Sequence, residues 1–333
     1  MMRSPALLGL AGAFAMMLSA SQAYAQCGPN AIGTSREIEI DTTGGPAFGA
    51  IRHHAAEILK PGEIVLTFDD GPHRKLTPII LDILAKHCAK ATFFMLGQRA
   101  MLYPDLAREV ERQGHSVGTH TWSHANLQKK SASAMEAEIE LGISGVQKAL
   151  GKPAAPFFRF PYLATPDRAI DHLKHRNTAI FSIDVDSKDY RTRSSTVVMR
   201  NVMSQLKSRG RGIILFHDIQ PSTAGALGTL LDDLKAGGYH VVHLVPKQKQ
   251  TTIAAYDQRV GTPSHVVAAG IPVSRRSVVA PAWEARAEHH HRASPKPPVP
   301  HTPIEVTAKP AAPASPAPVV FPEDWRDKAF RGG

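Results

Sequence analysis

The feature that most constrains this chain is a rhythm. From Glu63 to Val245, short apolar runs alternate with stretches of helical period. The runs are IVLTF (64–68), ATFFML (91–96), HSVGT (115–119), PFFRF (156–160), TAIFSIDV (178–185), GIILF (212–216) and YHVVHLV (239–245). The spacing between them predicts helices over 76–87, 102–113, 133–150, 165–176, 195–209 and 225–237. Thr165 followed by Pro166 reads as an N-cap with proline in the first turn, and Gly237-Gly238 reads as a stop. Strand and helix repeated in this way make a parallel α/β domain. A closed or nearly closed barrel and an open sheet both fit the count. Either fold gathers ligand sites at the carboxyl ends of its strands.

The flanks read differently. The chain opens MMRSPALLGLAGAFAMMLSASQAYAQ, with Arg3 ahead of an apolar stretch from Leu7 to Leu18 and small residues around Tyr24. This is the pattern of a secretory signal peptide over residues 1–25, cut after Ala25. The apolar stretch is short for a membrane span, so no transmembrane anchor is expected after cleavage. The expected location is periplasmic or extracellular. Residues 26–59 read as an N-terminal arm and loop, with DTTGGPAFG (41–49) as the loop, and residues 60–249 as the folded domain. Residues 250–333 carry ten prolines between Pro295 and Pro322 and read as a Pro/Ala-rich disordered tail. Cys27 and Cys88 are the two cysteines of the chain. In an oxidising compartment they could pair, or remain two thiols, since sequence does not place them within reach of each other.

The formal charge is +10. The signal peptide removes only Arg3 from that balance. The positive residues are scattered, with no arginine stripe interleaved with aromatics, so nucleic acid is not an expected partner. Attraction to an anionic polymer of the cell envelope fits the charge better.

Polar residues fall where the strands should end. Asp69 and Asp70 follow one run in LTFDDGP, and His120 and His124 follow another in GTHTWSH. Two histidines four apart and a carboxylate are an ordinary donor set for a hydrolytic metal. His115 is a third imidazole, at the far end of its strand. DDGP is also good turn chemistry, and a solvated turn would explain Gly71 and Pro72. If the strand ends converge, one aspartate completes the metal site. Its neighbour, aimed elsewhere, stays free as a base near the water that a metal would activate. Arg159 interrupts the aromatic run PFFRFPY and needs an anionic partner there. Asp184, Asp186 and Asp189 follow AIFSI, and His217-Asp218 follows GIILF. So many polar strand ends in one parallel domain point to a site.

TFDDGP, HTWSH, RFPY, DSKDY and LFH occur in the order of the five motifs of the polysaccharide deacetylases, the NodB-like carbohydrate esterases. AKATFFMLG and GHSVGTHTWSH also resemble this family's text, and the resemblance covers roughly residues 60–245. It implies a deformed (β/α) barrel, a TIM-barrel-like NodB homology domain. It implies Asp69 as catalytic base, Asp70, His120 and His124 as ligands of a divalent metal, and Arg159 as the residue that holds the base. Zinc is the first expectation, with cobalt or manganese as further fits. His217 resembles the general acid and Asp186 its partner. The Tyr162 amide would join in holding the oxyanion, and Leu215 and Tyr190 would wall the acetyl pocket. Two positions depart from the family: Phe160 stands where proline is usual, and Tyr190 where tryptophan is usual. Both put the substrate in question.

The expected activity is removal of N-acetyl groups from an N-acetylglucosamine polymer, be it peptidoglycan, a chitin oligomer or an exopolysaccharide, by a monomeric enzyme. The alternatives are an O-deacetylase acting on a polymer such as acetylated xylan, and a non-catalytic protein that binds envelope polysaccharide.

Overall fold

The computed structural model describes residues 27, 30–49 and 57–261. The expected signal peptide and the proline-rich stretch of the expected tail lie outside the described residues.

In chain order the elements begin with β1 (Thr34–Ile40), β2 (Ala47–Phe48), β3 (Glu63–Asp69), α1 (Leu76–Lys86), β4 (Thr92–Met95), α2 (Gly97–Leu102) and α3 (Pro104–Arg112). They continue with β5 (Ser116–Thr119), α4 (Ala132–Leu150), β6 (Phe157–Phe158), α5 (Asp167–His175), β7 (Ala179–Phe181) and β8 (Val185–Asp186). The last are α6 (Ser195–Arg209), β9 (Gly212–His217), α7 (Pro221–Ala236), β10 (His240–Pro246) and α8 (Ala254–Val260). Among the described residues every strand pairing is parallel. The order β8-β9-β3-β4-β5-β6-β7 curls around one interior, and β7 and β8 are not paired with each other. This is the deformed (β/α) barrel.

Strand β3 is buried along its whole length, as a strand covered on both faces must be. Its alternation decides which residues face the helices and which face the interior. Ile64, Leu66 and Phe68 pack with Ile214 and Phe216 of β9 against the helical layer. Val65 and Ile213 pack on the other side with Phe94, Phe157 and Phe181. Thr67, Asp69, Leu215 and His217 continue that second side toward the strand ends. Asp69 and His217 are partners in register.

The helices start and stop for local reasons. Ser131 caps α4, its Oγ accepting the Ala134 N–H at 3.3 Å, and the helix ends on Gly151 in the left-handed conformation. Ser194 caps α6 through the Val197 N–H at 3.4 Å. For α5 the expected cap is displaced: the N-cap is Pro166 and the helix begins at Asp167, with no side-chain cap. Proline at the cap still fits, because the first turn has no use for its missing N–H.

Three further expectations are corrected. The segment 41–49 is not all loop, because Ala47 and Phe48 pair with Ile180 and Phe181. The run 178–185 is two strands, broken between Phe181 and Val185. The folded domain does not end at 249. Helix α8 lies in the stretch expected to be disordered, held by the Lys148 ammonium on the Asp257 carbonyl at 2.6 Å and by the Tyr256 hydroxyl on Glu136 at 3.2 Å. No helix among the described residues is long and apolar enough to cross a membrane. Cys27 and Cys88 are joined in a disulfide.

Candidate functional site

The site lies at the carboxyl ends of β3, β5, β6 and β9. Asp69 is the last residue of β3, and Asp70 follows with φ +74°, a left-handed conformation that turns the chain out of the strand. The two carboxylates therefore face different partners. Asp69 Oδ1 accepts from Arg159 Nη1 at 2.8 Å. Asp70 Oδ1 lies 3.5 Å from His120 Nε2 and 3.4 Å from His124 Nε2, and is buried with no hydrogen-bond donor on it.

Arg159 follows the short strand β6 and is fully buried. Its Nη1 also donates to Thr67 Oγ1 at 2.7 Å, its Nε to the Phe181 carbonyl at 3.2 Å and its Nη2 to the Ser182 carbonyl at 3.1 Å. Its guanidinium lies 4.3 Å from the centre of the Phe94 ring. The guanidinium thus ties β3 to the end of β7 across the barrel, at the place where β7 and β8 do not pair. Burial of such a charge is tolerated only because every side of it is answered.

His120 Nδ1 donates to the Arg159 carbonyl at 2.7 Å. This fixes the tautomer, so Nε2 presents its lone pair toward Asp70. Burial pushes the His120 imidazole down to about 4, so it is neutral at pH 7. Burial would raise Asp70, but the charges around it, His124, His217, His120 and Arg99, outweigh that and hold it at about 2. Asp70, His120 and His124 each offer a ligand atom, all within 4.8 Å of one another. Two imidazoles, one of them neutral and oriented, and an ionised carboxylate with an orphaned buried oxygen are the donors that a divalent ion requires. The residues fit the expected metal.

The histidine loop is seated from behind. The Trp122 ring lies against Gly97 and Gly145, where a Cβ would come within 2.6 and 2.8 Å of it. A Cβ on Gly142 would meet the Thr121 carbonyl carbon at 2.6 Å. These glycines let α2 and α4 approach the loop closely enough to fix it.

His217 ends β9. Its Nδ1–H donates to Asp189 Oδ1 at 2.7 Å, and its backbone N–H donates to Asp189 Oδ2 at 2.7 Å. Burial alone would lower this imidazole, but the Asp189 carboxylate, with Asp70 and Asp69 behind it, raises it to about 10. The expected partner, Asp186, is not in contact with His217. Asp186 lies in register beside Leu215, two residues short of the histidine. The left-handed Lys188, φ +52°, then turns the chain so that Asp189 arrives over His217. Asp186 instead accepts from the Lys188 N–H at 2.8 Å and from the Tyr190 hydroxyl at 3.0 Å. Asp184 braces β9, accepting the Ile213 N–H at 2.7 Å.

The remaining expected residues border this centre. The Tyr162 ring stands edge-on to His124 at 4.5 Å, on backbone with φ +58°. The Tyr190 ring stands edge-on to His217 at 5.5 Å. Both tyrosines are exposed, whereas Leu215 is buried on β9. His115 sits away from the centre, at the start of β5, where its Nδ1 accepts the Ala91 N–H at 3.2 Å. Phe160 does not face the site. It packs edge-on against Phe158 at 4.9 Å in the core beneath α4 and α5, so its departure from proline is a matter of packing. Sequence reasoning passed over Thr67, Thr121 and Thr223. Thr223 Oγ1 donates to Asp189 Oδ2 at 2.5 Å, and Thr121 Oγ1 accepts the His124 N–H at 3.1 Å. A lone threonine carries no pattern that would have singled it out.

Residues 57–179 match a family described as polysaccharide deacetylase. The peptidoglycan-N-acetylglucosamine deacetylase PgdA of Listeria monocytogenes is 36% identical over 182 residues, covering 54% of this chain and 37% of that protein. The chitooligosaccharide deacetylase of Azorhizobium caulinodans is 34% identical over 168 residues, covering 49% of this chain and 77% of that protein. Among solved structures, the Bdellovibrio bacteriovorus peptidoglycan deacetylase Bd3279 is similar with a TM-score of 0.57 and 34% identity, over 64% of this chain and 59% of that one.

Proposed function

Since the chain belongs to the polysaccharide deacetylase family, we propose that it is an exported, metal-dependent hydrolase that removes N-acetyl groups from an N-acetylglucosamine polysaccharide. The observation that carries this reading is the parting of Asp69 from Asp70: one faces Arg159, the other faces two histidines.

Asp70, His120 and His124 would hold the metal, zinc first among the candidates. Such an ion, when bound, acidifies a water and polarises a carbonyl. Asp69, fixed through Oδ1 by Arg159, takes the proton of the attacking water on its other oxygen as the carbonyl carbon becomes tetrahedral. The Tyr162 N–H faces the developing oxyanion. His217, whose Nδ1–H is held by Asp189, gives the separate proton on its Nε2 to the leaving amine. The C–N bond breaks, and acetate and a free amino sugar result. His217, raised to about 10 by Asp189, stays protonated and so can act as the acid near neutral pH. Leu215 and Tyr190 border the acetyl methyl.

The charge of +10 favours peptidoglycan, an anionic polymer, over neutral chitin. Acetate release from peptidoglycan, chitin oligomers and acetylated xylan tests the reading. Release from the first two supports it, release from xylan alone assigns O-deacetylation, and release from none leaves a binding protein.

A further inference from the structure

Between the two histidines the chain has no regular structure to hold it. Thr121 has φ +70° and His124 φ +63°, so two non-glycine residues within four take the left-handed conformation. Such backbone persists only where its surroundings over-determine it. Part of that support is already described: the glycine seat under Trp122 and the Thr121 hydroxyl on the His124 N–H. Two bonds to α2 add to it, from the Gly97 N–H to the Thr121 carbonyl at 3.0 Å and from the Gln98 N–H to the Trp122 carbonyl at 3.1 Å.

A further part comes from one residue. Glu138, in the second turn of α4, accepts the Ser123 N–H on Oε2 at 3.0 Å and the Ser123 hydroxyl on Oε1 at 2.7 Å. Its carbonyl accepts the Trp122 N–H at 2.8 Å. Both carboxylate oxygens are thus spent on the residue directly before His124. Neither oxygen is among the ligand atoms gathered with Asp70, His120 and His124. An ionised carboxylate bonding both donors of one residue is a strong and directional clamp.

We propose that Glu138 is a positioning residue for metal binding. It holds Ser123 so that His124 is presented to Asp70 and His120 before any ion arrives. This rests on the metal reading above and adds to it a residue outside the ligand set. Losing an outer partner of this kind weakens metal affinity without removing a ligand.

The test is zinc affinity of the full chain, measured by competition with a chromophoric chelator alongside thermal melting of the zinc-free protein. E138A should bind zinc about 10–100-fold more weakly than the parent. E138Q, which keeps one acceptor, should fall between them. E136A, on the same helix but bonded to Tyr256, should bind as the parent does. S123A should lose part of the affinity, and the double variant S123A/E138A should lose no more than E138A alone. Parent-level affinity in E138A overturns the proposal, and so does an equal loss in E136A. Should E138A fail to fold, parent-level affinity in S123A overturns it instead. A parent chain that takes up no zinc removes the metal reading itself. A parent that binds zinc while E138A binds it equally removes only the role of Glu138.

Discussion

Asp69 and Asp70 share a peptide bond and almost nothing else. The left-handed turn at Asp70 gives one carboxylate to an arginine and the other to two imidazoles. Replacing Asp69 with asparagine should keep zinc uptake near that of the parent and lower kcat by about 10²–10⁴-fold, as expected for loss of a general base. Wild-type kcat on an acetylated glucosamine oligomer would remove Asp69 from that role. His217 gives a prediction in pH. Its raised value of about 10 keeps it protonated through neutrality, so kcat/KM should fall on the alkaline side as pH approaches that value. In D189N this alkaline limb should move toward the ordinary histidine value near 6.5, while D186N should leave it in place. An unmoved limb in D189N would break the pairing. The fold follows the same linkage. His217 stabilises it fully below about 6.5 and loses that contribution as pH rises through about 10. His120 runs the other way, its contribution being lost as pH falls from about 6.5 through about 4. At this scale the sequence was readable wherever a residue was out of character with its run, as Arg159 is. It failed at the choice between Asp186 and Asp189. Spacing along the chain cannot show that the left-handed Lys188 brings the later aspartate back over β9.

Among the elements, long helices with caps were the most legible. The spacing reaches α6 without error, and α4 to within one residue, because Ser131 and Ser194 mark the starts. Strands β1, β2 and β8 were missed or merged. Two-residue strands bury too little to leave a pattern, and β1 shows its neighbour only half a buried face. The glycine seat under the histidine loop was equally silent, since Gly97, Gly142 and Gly145 have meaning only once α2 and α4 approach. It yields a prediction. G145A places a methyl against Trp122, and the loop must shift to admit it. Overpacking of this kind costs about 1–3 kcal/mol, and the melting temperature should fall accordingly. Zinc affinity should fall with it, because the displaced ring belongs to the segment that carries both histidines. An unchanged melt and unchanged affinity would show that the seat has slack.

At the scale of the molecule, the disulfide joins Cys27 to the start of the connection between α1 and β4. It closes a separation of 61 residues, and removing such a link costs about 2–4 kcal/mol. C88S should therefore melt several degrees lower. It should deacetylate at the parent's rate at 25 °C, because Cys88 precedes β4 and the site lies beyond the strands' other ends. A loss of rate with an unchanged melt would reverse that assignment. The parallel α/β domain was legible from the alternation of runs, and the resemblance chose the barrel over an open sheet. The closing strands were not, because what they close against is far away in sequence.

That distance has a kinetic meaning. Strand β1 pairs along its length with β10, and β3 takes β10 and β4 on one edge and β9 on the other. Thr34 meets Val241, so among the described residues the first strand waits for the last one. Contacts that span nearly the whole domain form late and slowly, because the loop must close before they return any energy. A nascent chain emerging N-terminus first would hold β1 and the start of β3 incomplete until residue 246 had left the ribosome. The fold is therefore one that translation alone cannot finish early, and a chain of this design stays threadable for as long as it is being made.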